Sequence, residues 1–174
     1  MQGNGILVLN SGSTSLKFAL YQLQQGELSV VAQGGFATMP AATSLVVNGS
    51  NNVKLVDAQF LGEQVNHEVA LGKLLTILRQ KFPHLNIAYA GHRIVLGGER
   101  YAQAIKLDND SLDYLESLSK IEPTHQYYEV MGARALAKVF PEIKQSATFD
   151  TSFHRTMPEV AEFYPVPPEI TAKG

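Results

Sequence analysis

The spacing of apolar residues changes along this chain, and that change constrains the fold more than any other feature. Near the start, Ile6 to Leu9 form a short apolar run, and Leu16, Phe18 and Leu20 occupy every second position. These two runs predict a β-hairpin. Further strands are predicted at residues 28–32, 45–47 and 53–56, the last two as a second hairpin around the turn sequence NGSNN.

After Asn66 the apolar residues follow helical spacing instead. Asn66 is a possible helix cap and Pro83 ends the segment, which predicts a helix through Phe82. The remaining predictions are a strand at 87–95, a helix at 111–118, a helix at 128–140 and a strand at 146–149. Strands followed by alternating helices and strands indicate an α/β fold with a mixed sheet.

Composition excludes several classes of protein. A chain of 174 residues with 45% hydrophobic and 17% charged residues can bury a core. A net charge of −2 with no long run of Lys or Arg argues against a basic nucleic-acid-binding face. No apolar stretch reaches 18 residues, so no membrane span is predicted. The start lacks the features of a signal peptide and there is no cysteine, so we expect a cytoplasmic protein.

The first predicted hairpin turns through Asn10 to Ser15, a stretch rich in hydroxyl groups. It is not a P-loop, because GxxxxGK[ST] is absent and a strand follows it. Converging amides and hydroxyls can still form a nest for a phosphate. The alternative is a polar turn whose residues serve only its geometry.

Three further residues are candidates for a functional site. Arg93 lies in an apolar strand, where a guanidinium needs a carboxylate or phosphate ligand or a structural Asp or Glu partner. Asp150 follows a predicted strand, so it could hold Mg²⁺, orient a nucleophile or cap the next turn. His125 precedes a predicted helix and could donate to an anion or be merely solvated. No GxSxG sequence supports a hydrolase.

Four segments together resemble the acetate kinase (acetokinase) family of acyl kinases. They are VLNSGSTSLKF at 8–18, GHRIVLGGERY at 91–101, PTH at 123–125 and TFDTSFHRTMPE at 148–159. The resemblance implies the fold of the sugar kinase, heat-shock-70 and actin-like (ribonuclease H-like) ATPase superfamily. It also implies that residues 1–163 form only the amino-terminal domain and that 164–174 connect to an absent second domain.

The activity implied by this resemblance is reversible phosphoryl transfer from ATP to acetate or another short carboxylate, with Mg²⁺. Residues matching Arg93 and His125 would contact the carboxylate or the transferring phosphoryl group, and Val95 would line an apolar acyl pocket. Asp150 and Asn10 would serve Mg²⁺. The phosphate-binding residues implied are Asn10, Ser11, Gly12 and Ser13. Relatives continue into a second domain and form homodimers, so we expect this chain alone to be inactive.

The chain departs from the family pattern at two motifs. VHGG of the family reads VLGG here, with Leu96, and LHNP reads THQY, with Thr124, Gln126 and Tyr127. A hydroxyl at Thr124 predicts altered selectivity among short acids. Two interpretations follow: part of an acyl kinase, or a non-catalytic module that binds small anions or a partner.

Overall fold

A computed structural model describes residues 3–162 and 165–172 of the chain. Eight strands form one mixed sheet in the order β5-β4-β3-β2-β1-β6-β8-β7. The strands are β1 (Gly3–Ser11), β2 (Leu16–Gln24), β3 (Glu27–Ala37), β4 (Ala42–Gly49), β5 (Lys54–Leu61), β6 (Leu85–Ile94), β7 (Ile105–Lys106) and β8 (Lys144–Phe149).

The first five strands form an antiparallel meander, so both predicted hairpins and the third strand are confirmed. In the β1–β2 pair, Leu9 lies opposite Phe18. Both side chains are buried, because alternate residues of a strand point to the same face of the sheet. The period-two pattern of the sequence therefore reports which face meets the core.

The other half of the sheet is parallel at its centre. β6 pairs parallel with β1 on one side and with β8 on the other, while β7 is an antiparallel edge strand that the sequence did not predict. Parallel strands cannot be joined by a hairpin, and helices provide the crossovers. Because β1, β6 and β8 run in the same direction, they end at the same edge of the sheet.

Three long helices supply the crossovers: α1 (His67–Lys81), α2 (Asn109–Ser117) and α3 (Gln126–Val139). The side chain of Asn66 accepts a hydrogen bond from the Val69 N–H at 3.0 Å, which confirms the predicted cap. α2 begins two residues before the predicted start, because Asp108 and Ser111 form a capping box. α3 also begins two residues early, at Gln126.

The helices bury two apolar clusters against the sheet. The larger cluster joins leucines of α1, including Leu71, Leu74 and Leu78, to Leu7 and Leu20 of the sheet. The smaller cluster joins residues of α2 and α3 to the ends of β6 and β8. Burial of these faces is the main source of stability in such a domain, and it fixes the strand ends where the candidate site lies.

The chain after β8 departs from the prediction. Asp150 to Thr156 form a 3₁₀ segment, and its N-cap residue, Phe149, makes no side-chain capping bond. Two short helices follow, α4 (Glu159–Glu162) and α5 (Pro168–Thr171), the second within the predicted connector. The predicted boundary between residues 163 and 164 lies outside the described residues. In the part of the chain described, no helix is long and apolar enough to cross a membrane.

Candidate functional site

Three of the candidate residues lie at the edge where the parallel strands end. Asn10 is near the end of β1, Arg93 is near the end of β6, and Asp150 follows β8 directly. Leu9 lies opposite His92 in the β1–β6 pair, so Asn10 and Arg93 follow at adjacent positions. This edge is where α/β proteins collect ligand-binding groups.

Arg93 and Asp150 form a bidentate ion pair although 57 residues separate them in sequence. Arg93 Nε donates to Asp150 Oδ1 at 3.0 Å, and Nη2 donates to Oδ2. Both side chains remain accessible, at 42% and 43% exposed. Hydrogen bonding to Asp150 raises the pKa of Arg93 further above its usual range. The structure thus unites two of the predicted catalytic residues.

Glu129, in the first turn of α3, is a third member of this cluster that the sequence analysis missed. Glu129 is only 2% exposed, yet its side chain contacts the accessible Arg93. Arg93 Nη1 donates a hydrogen bond to Glu129 Oε1 at 3.2 Å. The backbone N–H of Val95 donates to the other oxygen at 2.8 Å. Burial raises the pKa of Glu129, while the Val95 hydrogen bond and the charge of Arg93 oppose that rise.

His125 is the residue that precedes α3, and its side chain is 61% exposed. Glu122 accepts from the backbone N–H groups of His125 at 2.7 Å and Gln126 at 2.8 Å. Nδ1 of His125 lies 3.1 Å from Glu122 Oε1, and this network assigns the proton to Nδ1. The outward ring nitrogen, Nε2, is then the atom that a ligand would meet.

The segment that follows β6 is fixed from both sides. Val95, which is half-buried, donates its N–H to Glu129 and accepts from the Thr151 N–H at 3.2 Å. Thr151 also accepts from the Gly97 N–H at 3.1 Å through its hydroxyl. The position predicted to line an acyl pocket is therefore held directly beside Arg93.

The loop from Asn10 to Ser15 is only partly open to solvent. The hydroxyl of Ser11 is buried without a hydrogen-bond partner, beside Gly132 of α3. The Gly12 N–H donates to the Ser15 carbonyl at 2.8 Å, so it belongs to the turn. His67 Nε2 donates to the Gly12 carbonyl at 2.9 Å, and burial lowers the pKa of this histidine.

Two of the four predicted phosphate-binding residues have accessible side chains in this loop. Ser13 is exposed and Asn10 is half-buried. Asn10 alternates with the buried Leu9 and Ser11, and Arg93 alternates with buried neighbours in the same way. Since adjacent strands share their faces, Asn10 and Arg93 point to the same side of the sheet.

The positions that depart from the family pattern differ in what they contact. Gln126 is fully buried and hydrogen-bonds to the backbone of Leu96. The hydroxyl of Thr124 donates to Glu122, so it serves the start of α3. Tyr127 is 43% exposed. Gln126 and Thr124 thus shape the backbone around Arg93 and His125.

The donor set at this edge suits a magnesium ion that arrives with phosphate groups. Within residues 3–162 and 165–172, no three His, Asp or Glu side chains are grouped to hold a metal by themselves. Mg²⁺ at phosphate sites is commonly held by one or two carboxylates plus phosphate and water. Asp150 offers such a carboxylate, because a carboxylate accepts about four hydrogen bonds and Arg93 supplies two.

Comparison with known proteins decides which family has this arrangement. The family model described as the acetokinase family matches residues 5–174, nearly the whole chain. The chain belongs to the acetokinase family. The sequence-based resemblance is therefore confirmed.

Curated and solved relatives agree with this assignment. Acetate kinase 2 of Photobacterium profundum is 36% identical over 162 residues, which cover 92% of this chain and 40% of that protein. The crystal structure of Porphyromonas gingivalis acetate kinase matches with a TM-score of 0.85 and 30% identity, over 98% of this chain and 43% of that one. A propionate kinase from Francisella tularensis matches with a TM-score of 0.82 and 29% identity, over 98% of this chain and 43% of that one.

These matches bear on fold and on length. The mixed sheet with its helices has the actin-like ATPase fold of the acetate and propionate kinases, which confirms the predicted fold class. The chain spans about two fifths of the length of these relatives and matches their amino-terminal part.

Proposed function

We propose that this chain supplies the carboxylate- and phosphate-binding part of an acyl kinase. The reaction is reversible phosphoryl transfer between ATP and acetate or another short-chain carboxylate, giving an acyl phosphate and ADP. The observation that carries the proposal is the Arg93–Asp150 pair at the edge of the parallel strands, beside Val95 and near accessible donors of the β1–β2 loop. Family membership supports the reaction class.

Arg93 is the proposed ligand of the acid. A guanidinium has five N–H donors, of which three are used by Asp150 and Glu129, so two are left for a carboxylate. Asp150 holds the guanidinium in place, which lowers the cost of ordering it when the acid binds. Val95 lies beside it as an apolar contact for the acyl chain.

Asn10, Ser13 and, when both of its ring nitrogens are protonated, His125 are the proposed donors to the phosphoryl group. Charge spreads over the oxygens of that group during transfer, so positioned donors stabilise the transition state. Asp150 and Asn10 are the residues that would hold Mg²⁺. When bound with the nucleotide, this ion supplies positive charge that offsets the negative charge of the phosphates.

Catalysis needs the part of the relatives that this chain does not span. Transfer to an acid rather than to water requires a closed cleft, and one domain cannot enclose the reacting groups. We expect negligible kinase activity from these 174 residues alone. We expect the complete protein to be a cytoplasmic homodimer that uses ATP and Mg²⁺.

A non-catalytic anion-binding module is the alternative function. It is favoured by the contacts of Asp150, both of whose oxygens already accept from Arg93. In such a module, Arg93 would still bind small carboxylates, but Asp150 would serve only to hold Arg93.

Hydroxamate formation from acetate, propionate and butyrate with Mg-ATP tests the proposal. The assay compares this chain alone with a chimera in which residues 1–174 replace the matching part of Photobacterium profundum acetate kinase 2. We expect activity in the chimera only, lost in Arg93→Ala and retained in Arg79→Ala, which removes an exposed arginine paired with Glu142 instead. An inactive chimera whose 174-residue part still binds acetate would favour the module.

A further inference from the structure

The ionic cluster at the candidate site contains one carboxylate more than it has positive charges. Within the described part of the chain, Arg93 is the one cation that pairs with both Asp150 and Glu129. Asp150 pairs with the Nε and Nη2 side of the guanidinium, whereas Glu129 takes a hydrogen bond from Nη1. With both acids ionised, this trio has a net charge of −1 at a place proposed to bind anions.

Nη1 matters because of how a guanidinium holds a carboxylate. Two parallel N–H···O bonds are needed, and they come either from Nε and Nη2 or from Nη1 and Nη2. Asp150 uses the first edge, so an incoming acid is left with the second. Glu129 already accepts from one of the two N–H groups of Nη1 at 3.2 Å, so its charge lies next to the N–H that an acid would use.

Glu129 is also held where it is. Its side chain is 1% exposed, and its second oxygen accepts from the Val95 N–H at 2.8 Å. Movement of this carboxylate into water when an acid approaches is unfavourable, because it would leave the Val95 N–H without an acceptor. In its ionised form, Glu129 therefore keeps a negative charge beside Arg93 in the bound state as well.

We propose that Glu129 is an internal carboxylate that competes with the acid substrate for Arg93 and so weakens the binding of small carboxylates. The inference rests on the proposed role of Arg93 as the ligand of the acid. It assigns a function to a buried group that the fold does not need for its apolar core.

Replacing Glu129 with glutamine distinguishes competition for Arg93 from a role in positioning Arg93 and from a purely structural role. The Gln oxygen still accepts from the Val95 N–H, while its amide faces Arg93 as a donor and releases Nη1. Competition predicts tighter acetate binding, by about tenfold for loss of a like charge a few ångströms away near the surface. A residue that positions Arg93 would give weaker binding, and a purely structural residue would give no change.

The first experiment is a titration of the ¹⁵N-labelled 174-residue chain with sodium acetate, followed by NMR at the Arg93 Nε–H and Val95 N–H signals. Wild type is compared with Glu129→Gln and with Glu142→Gln, the same change at an exposed residue paired with Arg79. Tighter binding only in Glu129→Gln supports the inference, and equal or weaker binding overturns it. Should Glu129→Gln not fold, Glu129→Asn tests the same prediction.

A second measurement does not depend on acid binding. Phenylglyoxal condenses with the two terminal nitrogens of arginine, and mass spectrometry of the peptide gives the rate at Arg93. We expect faster modification in Glu129→Gln than in wild type and Glu142→Gln. If neither wild type nor Glu129→Gln binds acetate but Arg93 reacts faster in Glu129→Gln, the proposed acid site is wrong. The inference that Glu129 competes for Arg93 would then still hold. An unchanged rate overturns the inference.

Discussion

Gln126 and Leu96 are joined by two hydrogen bonds between the side-chain amide of one and the backbone of the other. The Leu96 N–H donates to the Gln126 oxygen at 2.9 Å, and the Gln126 amide donates to the Leu96 carbonyl at 3.1 Å and to the Leu115 carbonyl at 3.0 Å. The first residue of α3 thus ties the segment after β6 to α2. This contact sets the backbone immediately after Arg93 and Val95.

Gln126→Ala is expected to destabilise the protein by about 2 to 4 kcal/mol, because it removes three hydrogen bonds and leaves the half-buried N–H and carbonyl of Leu96 without their Gln126 partner. Urea unfolding followed by circular dichroism measures the change. Gln103→Ala is the matched control at an exposed position, where we expect a difference below about 0.5 kcal/mol. Equal stability of the two variants would show that the Gln126 hydrogen bonds contribute little.

Gly132→Ala is expected to destabilise the protein by about 1 to 3 kcal/mol, because the change overpacks a tight contact. An added Cβ at Gly132 would lie 2.2 Å from the Ser11 hydroxyl oxygen, so α3 or the end of β1 must shift. Thermal unfolding compares it with Gly72→Ala in α1. There, no atom lies within 4 Å of the added Cβ, and we expect a gain of about 1 kcal/mol from helix propensity.

A double variant tests whether contact with Ser11 causes the destabilisation expected for Gly132→Ala. Ser11→Gly removes the side chain that Gly132→Ala would strike. We expect the loss caused by Gly132→Ala to be much smaller in the Ser11→Gly background than in wild type. An additive effect would place the strain elsewhere in the α3 packing.

Much of the fold follows from local sequence signals. Hairpins and α1 were predicted because their periodicity, turn residues and caps are encoded within a few positions. The start of α3 was misplaced at Tyr128, because His125 and Gln126 are polar and read as loop. Gln126 is helical and buried since its partners at Leu96 and Leu115 lie far away in sequence, where no local pattern reports them.

The candidate site likewise combines features that local sequence signals predict with contacts between residues far apart in sequence. The sequence singles out Arg93 because it lies within an apolar strand and Asp150 because it follows a strand end, and it leaves both a ligand and a structural partner open for Arg93. Their pairing depends on the parallel register of β6 and β8, which periodicity does not give. Glu129 carried one usable signal, since a guanidinium in an apolar strand needs carboxylates nearby. Ser11 reads as an outward hydroxyl, yet strand alternation after Leu7 and Leu9 buries it.

His92 predicts a pH dependence of stability. It is 3% exposed on β6, and burial lowers its pKa from 6.5 to about 4. The network assigns the Gln145 amide as the donor to Nε2, at 2.7 Å. Because the folded pKa lies below the unfolded one, the contribution is complete above pH 6.5 and is lost as pH falls toward 4. The loss amounts to about 3 kcal/mol.

Urea unfolding of wild type and His92→Gln between pH 7.5 and 4 measures this effect. We expect wild type to lose more stability than His92→Gln over the interval, since glutamine does not titrate. The partly buried His67 contributes with the same sign in both proteins, so the difference isolates His92. His84→Gln, at an exposed histidine, is the control and should follow wild type. Parallel curves for wild type and His92→Gln would contradict the prediction.

Glu122→Gln is expected to lower stability at pH 7, because Glu122 accepts from the N–H groups of His125 and Gln126 at the start of α3. Hydrogen bonds, that of the Thr124 hydroxyl foremost, lower the pKa of Glu122 from 4.5 to about 2. Its contribution is therefore complete above pH 4.5 and is lost as pH falls toward 2, so the gap between wild type and variant should narrow. Thermal midpoints from pH 7 to 3 measure it. Glu99→Gln, at an exposed position, should have the same thermal midpoint as wild type at each pH. If the difference in midpoint between wild type and Glu122→Gln stays constant with pH, the effect of Glu122 comes from packing and not from its charge.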